Sequence, residues 1–319
     1  MTEPDVPHRA LGVFPANELN EAMAFDNWLA GNLSSIMTFV PVDVSKTVRE
    51  RFIHGYLTPL WEAGFVPIVT LEPWGVEEMA SSKLLSGSYN MHEEFQKWAK
   101  HFANWVKPSL SSQRKLILRL AHEMNGSWYP WSAGAGVHPA DYRTMWRRVY
   151  DIFRDEALWG DSVRWLWSIN AETTGGVEVA AFYPGDAYID WVGVDGYNFA
   201  DSQDWSSWMD PTAIFESAFE QVRNISDAPM SVPEFGCSSV RNGVSDPTAK
   251  ASWIMDAFDL FDTWDIRLAS WFNIDKETDW RVLDIAASAD NRYPGTVPLD
   301  GTNFSVYPSF RQAAIQYVN

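Results

Sequence analysis

Short apolar runs recur along this chain, and stretches with helical spacing lie between them. The runs span residues 11–14, 36–40, 66–71, 116–121, 163–169, 191–194, 230–233 and 268–272. They are near-continuous rather than alternating, as expected for strands buried on both faces of a parallel sheet. The stretch 18–30 carries Leu19, Ala22, Met23 and Leu29 at helical spacing, and 45–62 stops before Gly64, a helix-ending signal. The stretch 92–106 sets Phe95, Trp98, Phe102 and Trp105 on one face. The stretches 139–153, 211–222 and 247–261 each open with proline, which suits the first helical turn, and 308–318 closes the series.

Eight strand-then-helix units in 319 residues predict an α/β chain folded as a single (β/α)8 barrel, with residues 1–319 forming one catalytic domain. A doubly wound open sheet is the alternative, and it usually carries a glycine-rich phosphate loop after its first strand. Here that position reads Gly12-Val13-Phe14-Pro15-Ala16-Asn17, without the GxGxxG spacing, and no GxxxxGK[ST] occurs in the sequence.

Composition then narrows the partners. Lys and Arg total 24 against 42 Asp and Glu, a formal net charge of −18. Such a surface repels phosphates and anionic lipid, so neither nucleic acid nor membrane is expected as a partner. No segment approaches the roughly 20 apolar residues of a membrane span. One cysteine excludes an intrachain disulfide. The N-terminal MTEPDVPHRA does not resemble a signal peptide; secretion is the expectation, with the signal peptide outside this sequence, and a cytoplasmic location is the alternative. The chain is expected to be monomeric. Its 18 tryptophans exceed what core packing comfortably absorbs.

In a (β/α)8 barrel the active site lies at the C-terminal ends of the strands. Those ends carry Glu72 and Trp74 (strand three), His122, Glu123 and Asn125 (four), Asn170 (five), Asp195, Tyr197 and Asn198 (six), Glu234 (seven) and Trp271 (eight). Strands four and seven stand on opposing sides of the mouth, so Glu123 and Glu234 can approach each other across it. A pair of carboxylates among tryptophans suits glycoside hydrolysis. One protonates the leaving oxygen and the other attacks the anomeric carbon; a separation of about 5–5.5 Å retains configuration and about 6.5–9.5 Å inverts it. Sugar rings present apolar faces that stack on indoles, which gives Trp74, Trp128, Trp131 and Trp271 a use at the mouth. Trp98, Trp105, Trp146 and Trp253 lie within helices and read as core, and Trp165 and Trp167 share one strand face. The long segment 274–303 is expected to fold over the mouth and carry Trp280 to the cleft.

Other chemistries fit less well. His122-Glu123-Met124-Asn125-Gly126 begins like HExxH, but Gly126 stands where the second histidine is needed. Cys237 reads as a buried, inert thiol. Neither a metal nor a cofactor is expected. A barrel that binds carbohydrate without cleaving it is the non-enzyme alternative; the presence of Glu123, Glu234, Arg119 and Tyr197 together argues against it.

The stretch Arg119-Leu-Ala-His122-Glu123-Met-Asn125-Gly126-Ser-Trp128-Tyr-Pro130-Trp131 resembles the acid/base motif of glycoside hydrolase family 26. Val232-Pro-Glu234-Phe-Gly236 resembles its nucleophile motif, and Asp190-Trp-Val-Gly-Val-Asp195-Gly-Tyr197-Asn198 the strand-six motif between them. The resemblance implies a retaining double displacement with Glu123 as acid/base and Glu234 as nucleophile. It implies that Tyr197 orients Glu234, that Arg119 keeps it ionised, and that His122 reaches the bound sugar. It places Trp271 beneath that sugar, with Trp128 and Trp74 lining neighbouring subsites and Trp131, Asn198 and Trp280 adding to substrate binding. The implied partner is a polysaccharide or oligosaccharide. Most of the family resembles endo-β-1,4-mannanases, which is the expected activity. Thr70-Leu-Glu72-Pro73-Trp74 stands where many mannanases are rich in His and Trp, and the stretch 272–281 resembles shorter members, including the mixed-linkage β-1,3-1,4-glucanase type. That glucanase and β-1,3-xylanase are the alternatives.

Overall fold

Eight parallel strands close into a barrel in the computed structural model, which describes residues 6–74, 91–107, 113–158, 160–285 and 291–319. They are β1 (Ala10–Phe14), β2 (Ser35–Pro41), β3 (Val66–Glu72), β4 (Leu116–Leu120), β5 (Val163–Asn170), β6 (Trp191–Asn198), β7 (Met230–Cys237) and β8 (Leu268–Phe272). Each pairs in parallel with the next, and β8 closes on β1 from Ala10↔Leu268 to Phe14↔Phe272. All eight sequence runs are strands, most of them a residue or more longer than the apolar run itself.

The outer layer contains α1 (Leu19–Trp28), α2 (Lys46–Phe52), α3 (Thr58–Glu62), α4 (Met91–Val106), α5 (Pro139–Asp155), α6 (Pro211–Ile225), α7 (Pro247–Thr263) and α8 (Pro308–Val318). A π-helical turn, Ile53–Leu57, joins α2 to α3, just ahead of Pro59, which has no N–H to continue a regular ladder. Ser45 caps α2 and Asp246 caps α7 through side-chain oxygens, each accepting a backbone N–H of its helix's first turn. One expected helix is missing. β5 and β6 are linked by two short 3-10 turns, Val179–Phe182 and Asp186–Tyr188, and Gly175, Gly176 and Gly185 there hold positive φ, which a helix cannot use. Among the described residues, no helix is long and apolar enough to cross a membrane.

Strand parity decides what faces the barrel interior. Along β8, Leu268 and Phe272 belong to the interior cluster, whereas Ala269 and Trp271 join the layer between sheet and helices. Along β5, Leu166 points in and Trp165 and Trp167 share the outward face. β7 breaks this alternation. Val232 pairs with Ala269 and Phe235 with Trp271, so three steps on β7 match two on β8; the same slip appears against β6. This is a bulge at Pro233-Glu234, a place where a strand tolerates proline. Gly193 of β6 makes room for it, since a Cβ there would lie 2.7 Å from Pro233 Cγ. Regular alternation would turn Glu234 outward; the bulge aims it into the barrel mouth.

The connection after β8 forms a three-stranded antiparallel sheet, Leu283–Ile285, Gly295–Leu299 and Thr302–Val306. Its first part is tied to α7: the buried Lys250 ammonium donates to the carbonyls of Asp279 and Arg281. The Asp279 carboxylate accepts from Ser238 and Ser239 beyond β7.

Candidate active site

Arg119 of β4 is the hub of the barrel mouth. It is fully buried, and its guanidinium donates to Glu234 Oε1, to Asp195 Oδ2 and, at 2.7 Å, to Ser168 Oγ. Burial opposes its charge, but Asp195 and Glu234 outweigh that and push its pKa up. The second oxygen of Glu234 accepts from the Tyr197 hydroxyl at 2.5 Å. Both carboxylate oxygens of Glu234 thus accept from donors, which fixes the orientation of the group.

Glu123 lies just beyond β4 with φ at +53°, a left-handed backbone uncommon for a residue with a side chain. Its amide donates to the carbonyl of Ser168. Its Oε1 accepts from Asn170 Nδ2 at 2.8 Å and its Oε2 from Trp128 Nε1 at 2.7 Å. Burial raises its pKa first and the charge of Glu234 second, to about 7, against the opposing pull of Arg119. The two carboxyls therefore sit in contrasting settings: one beside a guanidinium, the other held toward its neutral form.

His122 is buried, with Nε2 2.9 Å from the Tyr129 hydroxyl and 3.9 Å from Glu234 Oε1. Burial and then Arg119 hold its pKa well below the usual value, so the ring is neutral. Tyr129 covers it and stacks on Trp131, with centroids 4.4 Å apart and planes at 10°. Trp74 meets both rings edge-on. On the far side, Trp280 rests 5.0 Å from Tyr197 and 4.9 Å from Phe199. The segment after β8 thus brings Trp280 to the site, as its length suggested, although the ring is covered there.

Several expected contacts with substrate are corrected by burial. Trp271 faces outward by parity; it packs on Phe235, Trp253 and Phe310 and donates to the Trp280 carbonyl. Phe272 occupies the inward position instead, 5.6 Å from Tyr197. Trp131 is wholly covered, with Nε1 bonded to the His122 carbonyl, so it supports Tyr129 from behind. Asn198 points away from the mouth: its Oδ1 accepts from Ala200 N and Met209 N and its amide reaches Cys237 Sγ. His122 lies behind Tyr129 rather than at a free surface. Trp74 and Trp128 are exposed at the rim.

Other residues at the site were given no role from sequence. Asn170, Asp195 and Glu72 appear there only as strand-end residues, and Tyr129 only inside the motif 119–131; nothing in spacing ranks them above their neighbours. Glu72 is a third glutamate at the mouth, inward by the parity of Ile68 and Thr70. Burial lifts its pKa to about 7, with the Trp74 hydrogen bond opposing and the charge of Glu234 adding.

The glycosyl hydrolase family 26 model matches residues 78–271. The chain belongs to glycosyl hydrolase family 26. It is 28% identical over 240 residues to Endoglucanase H of Acetivibrio thermocellus, covering 72% of this chain and 24% of that protein. It is 27% identical over 172 residues to a mannan endo-1,4-beta-mannosidase of Bacillus subtilis, covering 49% and 46%. The chain therefore spans less than half the length of either relative. The Cellulomonas fimi endo-beta-1,4-mannanase double mutant has the same fold, with a TM-score of 0.63 at 15% identity over 96% of this chain and 70% of that one. Family 26 membership and the closed barrel agree with the expectations drawn from sequence.

Proposed function

We propose that this family 26 hydrolase is an endo-acting, retaining β-glycanase whose whole chain serves as one catalytic unit, with Glu123 as acid/base and Glu234 as nucleophile. The supporting observation is the split between the two carboxyls. Arg119 and Tyr197 each donate to Glu234 and hold it in place for attack on the anomeric carbon. Glu123, raised to about 7, keeps the proton that the leaving oxygen needs. Once Glu234 is bonded to sugar its charge is gone, and one cause of the raised pKa of Glu123 goes with it. Glu123 then takes a proton from the incoming water, which releases the sugar.

The proposed substrate is a β-1,4-linked mannan. The Bacillus subtilis relative bears that activity in its name and shares nearly half its length with this chain. A mixed-linkage β-glucan is the second reading, favoured by the longer match to Endoglucanase H, although that match covers only 24% of the protein that carries the name. Hydrolysis of glucomannan, galactomannan, barley β-glucan and β-1,3-xylan, with products sized over time, tests both. Early release of mixed oligosaccharides from a mannan is the expected result. Release from barley β-glucan alone would replace mannan with the second reading, and release of single sugars from chain ends would remove the endo assignment.

A further inference from the structure

Exposed tryptophans are distributed unevenly over this barrel. Among the described residues the large exposed indoles are Trp74, Trp128 and Trp205, at 39%, 44% and 69%. They follow β3, β4 and β6, so all three stand on the rim that carries Glu123 and Glu234. Trp205 is the most open of them and lies outside the residues that surround the carboxyls.

It is nevertheless connected to them. Tyr197, whose hydroxyl holds Glu234, packs on Trp280 and lies 6.1 Å from Phe199. Phe199 in turn meets Trp280 and Trp205, each at 4.9 Å. An unbroken run of rings therefore leads from the nucleophile to the open indole. The loop that presents Trp205 is also held in place. Asn198 Oδ1 closes its base by accepting from Ala200 N and Met209 N. Ser206 Oγ donates to the Ala200 carbonyl at 2.7 Å, and Gln203 Nε2 donates to the Glu277 carbonyl on the segment that carries Trp280. An indole left open to water on a fixed loop, on the same rim as the carboxyls, has the form of a stacking platform that needs no ordering on binding.

We propose that Trp205 is a distal subsite that stacks a pyranose ring of the same neutral polysaccharide chain whose scissile bond lies at Glu123 and Glu234. This rests on the β-glycanase reading above. It also gives Asn198 a role, as a positioning residue for the platform. The occupant is uncharged, in keeping with the acidic chain around it.

The test compares wild type, Trp205→Ala and Trp205→Phe on a length series of β-1,4-linked manno- and gluco-oligosaccharides and on glucomannan and barley β-glucan. For Trp205→Ala, KM is expected to rise roughly fivefold to tenfold on the long substrates, with a loss that appears only above a threshold chain length. Trp205→Phe restores most of it. A loss equal at every length, or none at any length, overturns the proposal. The same proteins are run in native gels containing either polysaccharide, which needs no turnover. Retardation that weakens in Trp205→Ala without any hydrolysis by wild type would sink the glycanase reading and leave the subsite standing. Retardation equal in wild type and Trp205→Ala, or absent from both, overturns the subsite.

Discussion

The Trp128 indole donates to the same carboxyl, Glu123, that Asn170 bonds from the other side. Both donors favour the ionised form of a group whose proposed task begins protonated. Loss of the Trp128 bond therefore raises the pKa of Glu123. In Trp128→Phe the basic limb of the kcat/KM profile, which marks loss of the proton from the acid, is expected to move to higher pH. A limb that stays near 7 or moves down would separate Trp128 from proton control.

The charge of Glu234 is the second cause of the raised Glu123 pKa, after burial. Glu234→Gln is expected to abolish turnover and also to lower the pKa of Glu123, leaving it above the ordinary carboxylate value because burial remains. Carboxyl-carbon NMR titration reads this without activity. An unchanged Glu123 titration would mean that the two groups do not share a field.

Gly193 is matched to the β7 bulge. Gly193→Ala sets a Cβ against the stiff Pro233 ring, and overpacking of this kind costs about 1–3 kcal/mol. Because Pro233 precedes Glu234, kcat is expected to fall along with the denaturation midpoint. Full activity on a destabilised protein would show that the bulge absorbs the clash without moving the carboxylate.

Trp271 belongs to the packing between sheet and helices. Trp271→Ala is expected to cost about 3–5 kcal/mol of stability by chemical denaturation. Among molecules still folded, KM should stay close to wild type. A raised KM with unchanged stability would return Trp271 to the substrate.

Removing the buried Arg119 while keeping its partners strands two carboxyls. Arg119→Met is expected to lose about 3–5 kcal/mol, because Asp195 and Glu234 stay buried without their cation. Adding Asp195→Asn should recover part of that. No recovery in the double variant would place the cost elsewhere.

The barrel was legible because strands buried on both faces need near-continuous apolar runs, and seven such runs are separated from the next element by readable helices. The glutamates were legible because the fold places chemistry at strand ends. Residue-level aim was harder. Whether Trp271 or Phe272 faces the interior depends on parity counted from a partner strand, and the run 268–272 ends on two adjacent large apolar rings. Glu234 points inward only because β7 slips one residue against both neighbours; Pro233 within a strand marks a bulge, but not which way it turns Glu234. Asn198 and Trp131 carry polar groups that a sequence reading assigns to substrate; here backbone groups and the Cys237 thiol take them up.

The left-handed backbone at Glu123 has a consequence for descent. A φ of +53° is readily adopted by glycine, and next by asparagine and aspartate. With Glu123 as the proposed acid, most single replacements inherit the strain that glutamate already carries, whereas Gly, Asn and Asp relieve it. Relatives that have given up hydrolysis but kept this barrel should be enriched in Gly, Asn or Asp at the equivalent place, so the backbone leaves a mark of the former acid after its chemistry has gone.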